Sequence, residues 1–217
     1  MRHVAIFILT MGGIAAYGNL TELRWAAGAF LYFPLGLLLL FLAVLVHELG
    51  HALAARLCGA RIERIVALPF EWRFRPFRIG GATSLGPDLG GQVDYVMEEG
   101  ESRSEHALIA AAGPVANLLL GLAAVLFGTW LVAQAAPTLT LPSIIPGTPT
   151  PDGVRITTDM DQVGIQQYRL AVAKAVARIF NSLAMLSVGT ALANLIPYKG
   201  SDGDGIVDAL FRGRFRA

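Results

Sequence analysis

Four stretches of the chain run without a charged residue for long enough to decide its class. From Trp25 to Val46 there are 22 such residues, WAAGAFLYFPLGLLLLFLAVLV. As a helix, a run of that length crosses a hydrocarbon core of roughly 30 Å. Others run from Ala107 to Thr140 and from Ile179 to Tyr198, and a shorter one from Val4 to Leu20 lies near the lower limit for a span. The pattern predicts an all-α membrane protein: one domain over 1–217, a polytopic bundle of about four helices with spans near 4–20, 25–55, 106–136 and 176–198. The first run is long for a signal peptide and lacks a small-residue cleavage site before the next span, so it is expected to be retained.

Between the second and third spans the periodicity changes. RIVALPFEWRFRPFRI and QVDYVME are β-prone and are broken by Gly80-Gly81, Gly86-Pro87 and Gly90-Gly91, which predicts a small hairpin or sheet against the membrane. The segment from Pro137 to Gln167 carries five prolines together with Asp152, Asp159 and Asp161. It reads as a structured loop at most, too short for a separate domain and the best candidate contact for a partner.

Charge sets the orientation. Twelve of the 17 Lys and Arg flank the spans on one side: Arg2, seven between Arg56 and Arg103, and four from Lys199 onward. The other five (Arg24, Arg155, Arg169, Lys174 and Arg178) lie on the opposite side. The richer side is expected to be cytoplasmic, with both termini there, in a multi-pass protein of the cell membrane. A net charge of +1 supplies no footprint for a nucleic acid. The single cysteine, Cys58, excludes an internal disulfide and a paired-cysteine zinc site. A metal would need His and carboxylate ligands.

Those ligand types are present where the strongest span runs out. His47-Glu48-Leu49-Gly50-His51 is an H-E-x-x-H pattern, and on a helix positions i and i+4 share a face. Two imidazoles can then hold one Zn²⁺ while Glu48 reaches a metal-bound water as general base. Counted back from Arg56, His51 lies roughly 7 Å and His47 roughly 13 Å inside the helix end, so the site is expected within the membrane toward the cytoplasm. A helix end alone has no need of this spacing. A third ligand is not fixed by the motif. Ala54 and Leu57 stand where a metzincin would continue with Gly and His, and Glu71 sits in a strand-like Phe-Glu-Trp-Arg context. The remaining polar cluster near a span is Asn194-Leu-Ile-Pro197 followed by Asp202-Gly203-Asp204-Gly205.

Three elements in this order resemble the site-2 protease family of intramembrane zinc metalloproteases: His47-Glu48-x-x-His51, Ala112-Gly113-Pro114-x-x-Asn117, and Asn194-x-x-Pro197 with an Asp-Gly turn. The resemblance covers about residues 36–205. It implies zinc held by His47, His51 and Asp202, with Glu48 as the catalytic base. Asn117 would help bind substrate or stabilise the oxyanion, and Asn194 would contribute to substrate binding. The chain departs from the family where Asp202-Gly203-Asp204 replaces Asp-Gly-Gly, which leaves Asp204 as a competitor two residues on. The implied activity is hydrolysis of peptide bonds within or near transmembrane segments, so the implied partners are a membrane-protein substrate and the bilayer. Oligomeric state has no signal in the sequence. A catalytically inactive zinc-binding or scaffold protein is the alternative, against which the intact Glu48 counts, because binding alone needs no base. A transporter is disfavoured by the absence of inverted repeats.

Overall fold

The structure is a computed structural model, and it describes residues 1–23, 29–82, 91–98, 100, 102–136, 149–150, 153–154 and 160–212. It is mostly helical: α1 (Arg2–Thr21), α2 (Ala29–Leu57), α3 (Arg103–Ala135) and α4 (Met160–Leu195) are each long and apolar enough to cross a membrane. A short α5 (Asp202–Val207) and a π-helical turn (Asp208–Arg212) follow. The uncharged runs form helices because only internally bonded backbone is stable where no water competes. The start of α3 is fixed by a capping box: Ser102 Oγ accepts from the Glu105 backbone N–H at 3.3 Å, and Glu105 Oε2 accepts from the Ser102 backbone N–H at 2.8 Å.

The fourth helix begins at Met160, well before the expected 176. The charged turns around Arg169, Lys174 and Arg178 end the apolar run but not the helix, since neither Lys nor Arg opposes helical backbone. Arg178 faces Glu22 at 3.6 Å, and its carbonyl accepts from Asn19 Nδ2 at 2.6 Å. The same Asn19 amide donates to Ser182 Oγ at 2.8 Å, and Ser182 donates to the Ala16 carbonyl at 3.1 Å. This polar clamp, each bond worth about 0.6 kcal/mol in an apolar bundle, fastens α1 to α4. Where α2 crosses α3 the backbones nearly touch: a Cβ at Gly50 would lie 2.6 Å from the Ala112 carbonyl oxygen and 2.7 Å from Ala116 Cβ. That closeness brings the motif helix within side-chain reach of Asn117.

The β-prone segment is a four-stranded antiparallel sheet, β1 (Arg61–Ala67), β2 (Phe70–Phe74), β3 (Phe77–Gly81) and β4 (Gly91–Val96), in the order β3-β2-β1-β4. Glu71, 4 % exposed, is neutralised by Arg73 and by Arg64 at 4.0 Å, and Arg64 also pairs with Asp94 at 2.7 Å, which ties β1, β2 and β4 together. That network accounts for Glu71 and removes it from the ligand candidates. The Phe70 ring meets Phe41 edge to face at 5.6 Å. Phe41 lies six residues, about 9 Å, before His47 on α2, so the β1–β2 turn runs alongside the apolar helix instead of ending beyond it. In the proline-bearing segment after α3, Pro149–Thr150 (β5) and Gly153–Val154 (β6) pair as a two-stranded unit. Asp152 and Asp159 lie outside the described residues.

Candidate metal centre

The last three turns of α2 carry the first two candidate ligands on one face, as their i, i+4 spacing requires. Their Nε2 atoms are 3.1 Å apart. Asp202 closes the third side: its Oδ2 lies 3.0 Å from His47 Nε2 and its Oδ1 3.2 Å from His51 Nε2. Among the described residues these three are the group whose ligand atoms converge, all within 4.8 Å. Tetrahedral zinc with ligands at about 2.0–2.1 Å would space two nitrogens by about 3.3 Å, so the donor set and its spacing fit that ion.

Asp202 reaches this position through the turn after α4. Ser201 Oγ donates to the Ile196 carbonyl at 2.7 Å and accepts from the Tyr198 and Asp204 backbone N–H groups at 3.1 and 3.2 Å. Ser201 thereby knots the break behind Pro197 and caps α5, leaving Asp202 as the first residue of that helix. Gly200 supplies the left-handed step, with φ +90°. Asp204 lines the adjoining cavity and is not part of the converging group.

The other expected site residues gather here too. Glu48 is 7 % exposed and faces the same cavity, of about 360 Å³. Asn194 Nδ2 lies 2.9 Å from His47 Nε2 and so borders the place a metal would take. Asn117 is fully buried, and its Nδ2 lies 3.3 Å from the other ring nitrogen of His47, Nδ1.

Several participants were given no role by the sequence. The Ile109 carbonyl accepts from His51 Nδ1 at 2.7 Å, a backbone contact that no side-chain motif encodes. Pro114 lacks an N–H, so the helical ladder of α3 is interrupted one turn from that carbonyl. A Cβ at Gly113 would overlap the His51 ring, and a Cβ at Gly91 would overlap the Glu48 carboxylate. Two glycines on different elements therefore leave the space that the histidine and the glutamate fill. His106, in the first turn of α3, also lines the cavity.

Apolar helices that hold two histidines and a carboxylate, with a buried glutamate alongside, have the donor set of a hydrolytic zinc centre. The sequence profile of peptidase family M50 matches residues 35–217, and the chain belongs to that family. It is 34% identical over 85 residues to a zinc metalloprotease of Methanocaldococcus jannaschii, covering 39% of this chain and 19% of that protein. It is 36% identical over 108 residues to the regulator of sigma-E protease RseP of Escherichia coli (41% and 22%). With the RseP of Salmonella typhimurium the identity is 35% over 130 residues (51% and 26%). The matches thus span about a quarter or less of these relatives' length. No solved structure matches the chain.

Proposed function

We propose that the chain is an intramembrane zinc metalloprotease that hydrolyses peptide bonds within or near transmembrane segments of membrane-protein substrates. The observation that carries this reading is the convergence of His47 and His51, on a helix apolar enough to lie in a bilayer, with Asp202 of α5, beside Glu48 and a cavity. His47, His51 and Asp202 would hold Zn²⁺, which when bound supplies a Lewis acid and water acidified toward a pKa of about 7. Glu48 takes the water's proton and returns it to the leaving amine, a role that needs a carboxylate close to the ligands and shielded from bulk water. The Asn194 amide, on the cavity side of His47, donates to the developing oxyanion or to the substrate backbone.

A helical substrate hides its carbonyls in its own hydrogen bonds and must be extended to be cut. Among the described residues β4 is an edge strand, starts against Glu48 at Gly91, and contributes Gln92, Val93 and Tyr95 to the cavity wall. An unwound substrate segment adding to that edge would pass its backbone by the base. Deleting residues 80–91 is expected to abolish cleavage of a labelled transmembrane test substrate while zinc is retained, and undiminished cleavage would rule out strand addition. The bias of Lys and Arg favours a multi-pass arrangement in the cell membrane with the cavity toward the cytoplasm.

The decisive experiment uses the full chain in detergent. We expect about one zinc per chain by elemental analysis, with cleavage of the test substrate that a chelator abolishes and added zinc restores. Absence of zinc would overturn the metal centre. Zinc without cleavage of any of several transmembrane substrates would favour the non-catalytic, zinc-binding alternative.

A further inference from the structure

We infer that Asn117 is a positioning residue: through its side-chain oxygen it fixes the tautomer and ring orientation of His47, and it does not act on the substrate. The inference rests on the zinc reading above. His47 turns Nε2 toward Asp202 and His51, at 3.0 and 3.1 Å, so Nε2 is the nitrogen that would bind the metal. A neutral imidazole that gives its Nε2 lone pair to a metal carries its proton on Nδ1. Among the described residues, the side chain that faces Nδ1 is Asn117, whose amide nitrogen stands there at 3.3 Å. Two donors would then face each other. The Asn117 oxygen, meanwhile, is buried with no hydrogen-bond partner, in a residue with 0% exposure.

One change relieves the contact at Nδ1. Amide oxygen and nitrogen have nearly the same shape and are assigned from their partners, so turning the amide over gives Oδ1 the Nδ1 proton of His47. Oδ1 gains its donor and the donor–donor contact disappears, while the amide nitrogen takes the buried position that the oxygen leaves. The partner histidine is already treated in this way, for His51 Nδ1 donates to the Ile109 carbonyl at 2.7 Å. Both acceptors come from α3, so that helix orients both imidazoles of α2 from behind. Complete burial behind His47 also separates Asn117 from Asn194, whose amide lies at the Nε2 face. Of the two asparagines, only Asn194 borders the place where a substrate carbonyl would be polarised.

The test compares zinc affinity, by chelator competition on the full chain in detergent, for wild type, Asn117→Leu and Asn117→Asp. Outer partners of this kind typically change metal affinity by about 10–100-fold. Asn117→Leu is expected to lose that much. Asn117→Asp keeps an acceptor and is expected to stay within about threefold of wild type, since a carboxylate serves a zinc-bound histidine equally well. Wild-type affinity in Asn117→Leu overturns the inference, as does unchanged zinc affinity in both variants with turnover lost in both, the signature of an oxyanion donor. Should Asn117→Leu not fold, ¹⁵N spectra of histidine-labelled, zinc-loaded wild type decide: His47 protonated at Nδ1 is expected, and protonation at Nε2 overturns it. Wild type that binds no zinc would fail the metal reading itself, and this inference with it.

Discussion

Glu48→Gln is expected to lower cleavage of a transmembrane test substrate by about 10²–10⁴-fold, the usual contribution of a general base, while leaving zinc content at the wild-type level. Glutamine matches glutamate in size and has an oxygen in the same place, so the packing around residue 48 is preserved. That packing is tight, because the β4 backbone at Gly91 lies directly against the carboxylate. What the substitution removes is a group that accepts a proton and later gives it up. Glu48 is absent from the converging ligand atoms, so the metal has no reason to leave with it. Rates from purified protein, set beside elemental analysis of the same sample, separate the two effects. Loss of zinc would make Glu48 a ligand, and unchanged cleavage would refute it as the base.

A sequence carries some parts of such a site and not others. The four helices are visible as uncharged runs because the membrane demands apolar side chains and internally bonded backbone together. The His47–His51 pair is legible because helical spacing alone puts both imidazoles on one face. The start of α4 was not legible, since hydropathy reports the apolar stretch of a helix and says nothing about the charged turns that continue it. The β-prone segment announced a sheet, yet neither its four strands nor the contact of Phe70 with Phe41 follows from periodicity. Register is set by pairing, and the turn's depth beside α2 by tertiary packing. The parts furthest from the motif were the least visible. Gly91 matters for the volume it leaves free, and Ile109 acts through its carbonyl, so their residue types carry no chemical signal; Gly113 stands in the second motif, but the ring it makes room for is not read from its spacing. Asn117 was visible as a polar residue in an apolar helix, but which histidine nitrogen it meets depends on how closely α2 and α3 cross at Gly50.

The competition between Asp202 and Asp204 is settled by experiment in one pair of variants. Asp202→Ala is expected to reduce zinc affinity by more than the roughly 10–100-fold that outer-shell changes cost, and to abolish cleavage with it. Asp204→Ala is expected to retain one zinc per chain. The geometry behind this begins at Ser201, whose hydroxyl knots the turn after Pro197 and starts α5, so that Asp202 is held at its first position. From there its two oxygens lie at 3.0 and 3.2 Å from the two histidines. Asp204 is two residues further along the same helix, about 200° around its axis, so both carboxylates cannot turn toward the histidines from one short helix. Removing Asp202 leaves two nitrogens in place of the three protein ligands that a catalytic zinc normally has. A shift of the chain by two residues could bring Asp204 forward only by unwinding the first turn of α5 and breaking the Ser201 contacts. Zinc retained in Asp202→Ala and lost in Asp204→Ala would mean that this shift occurs when the metal binds, and the third ligand would then be Asp204.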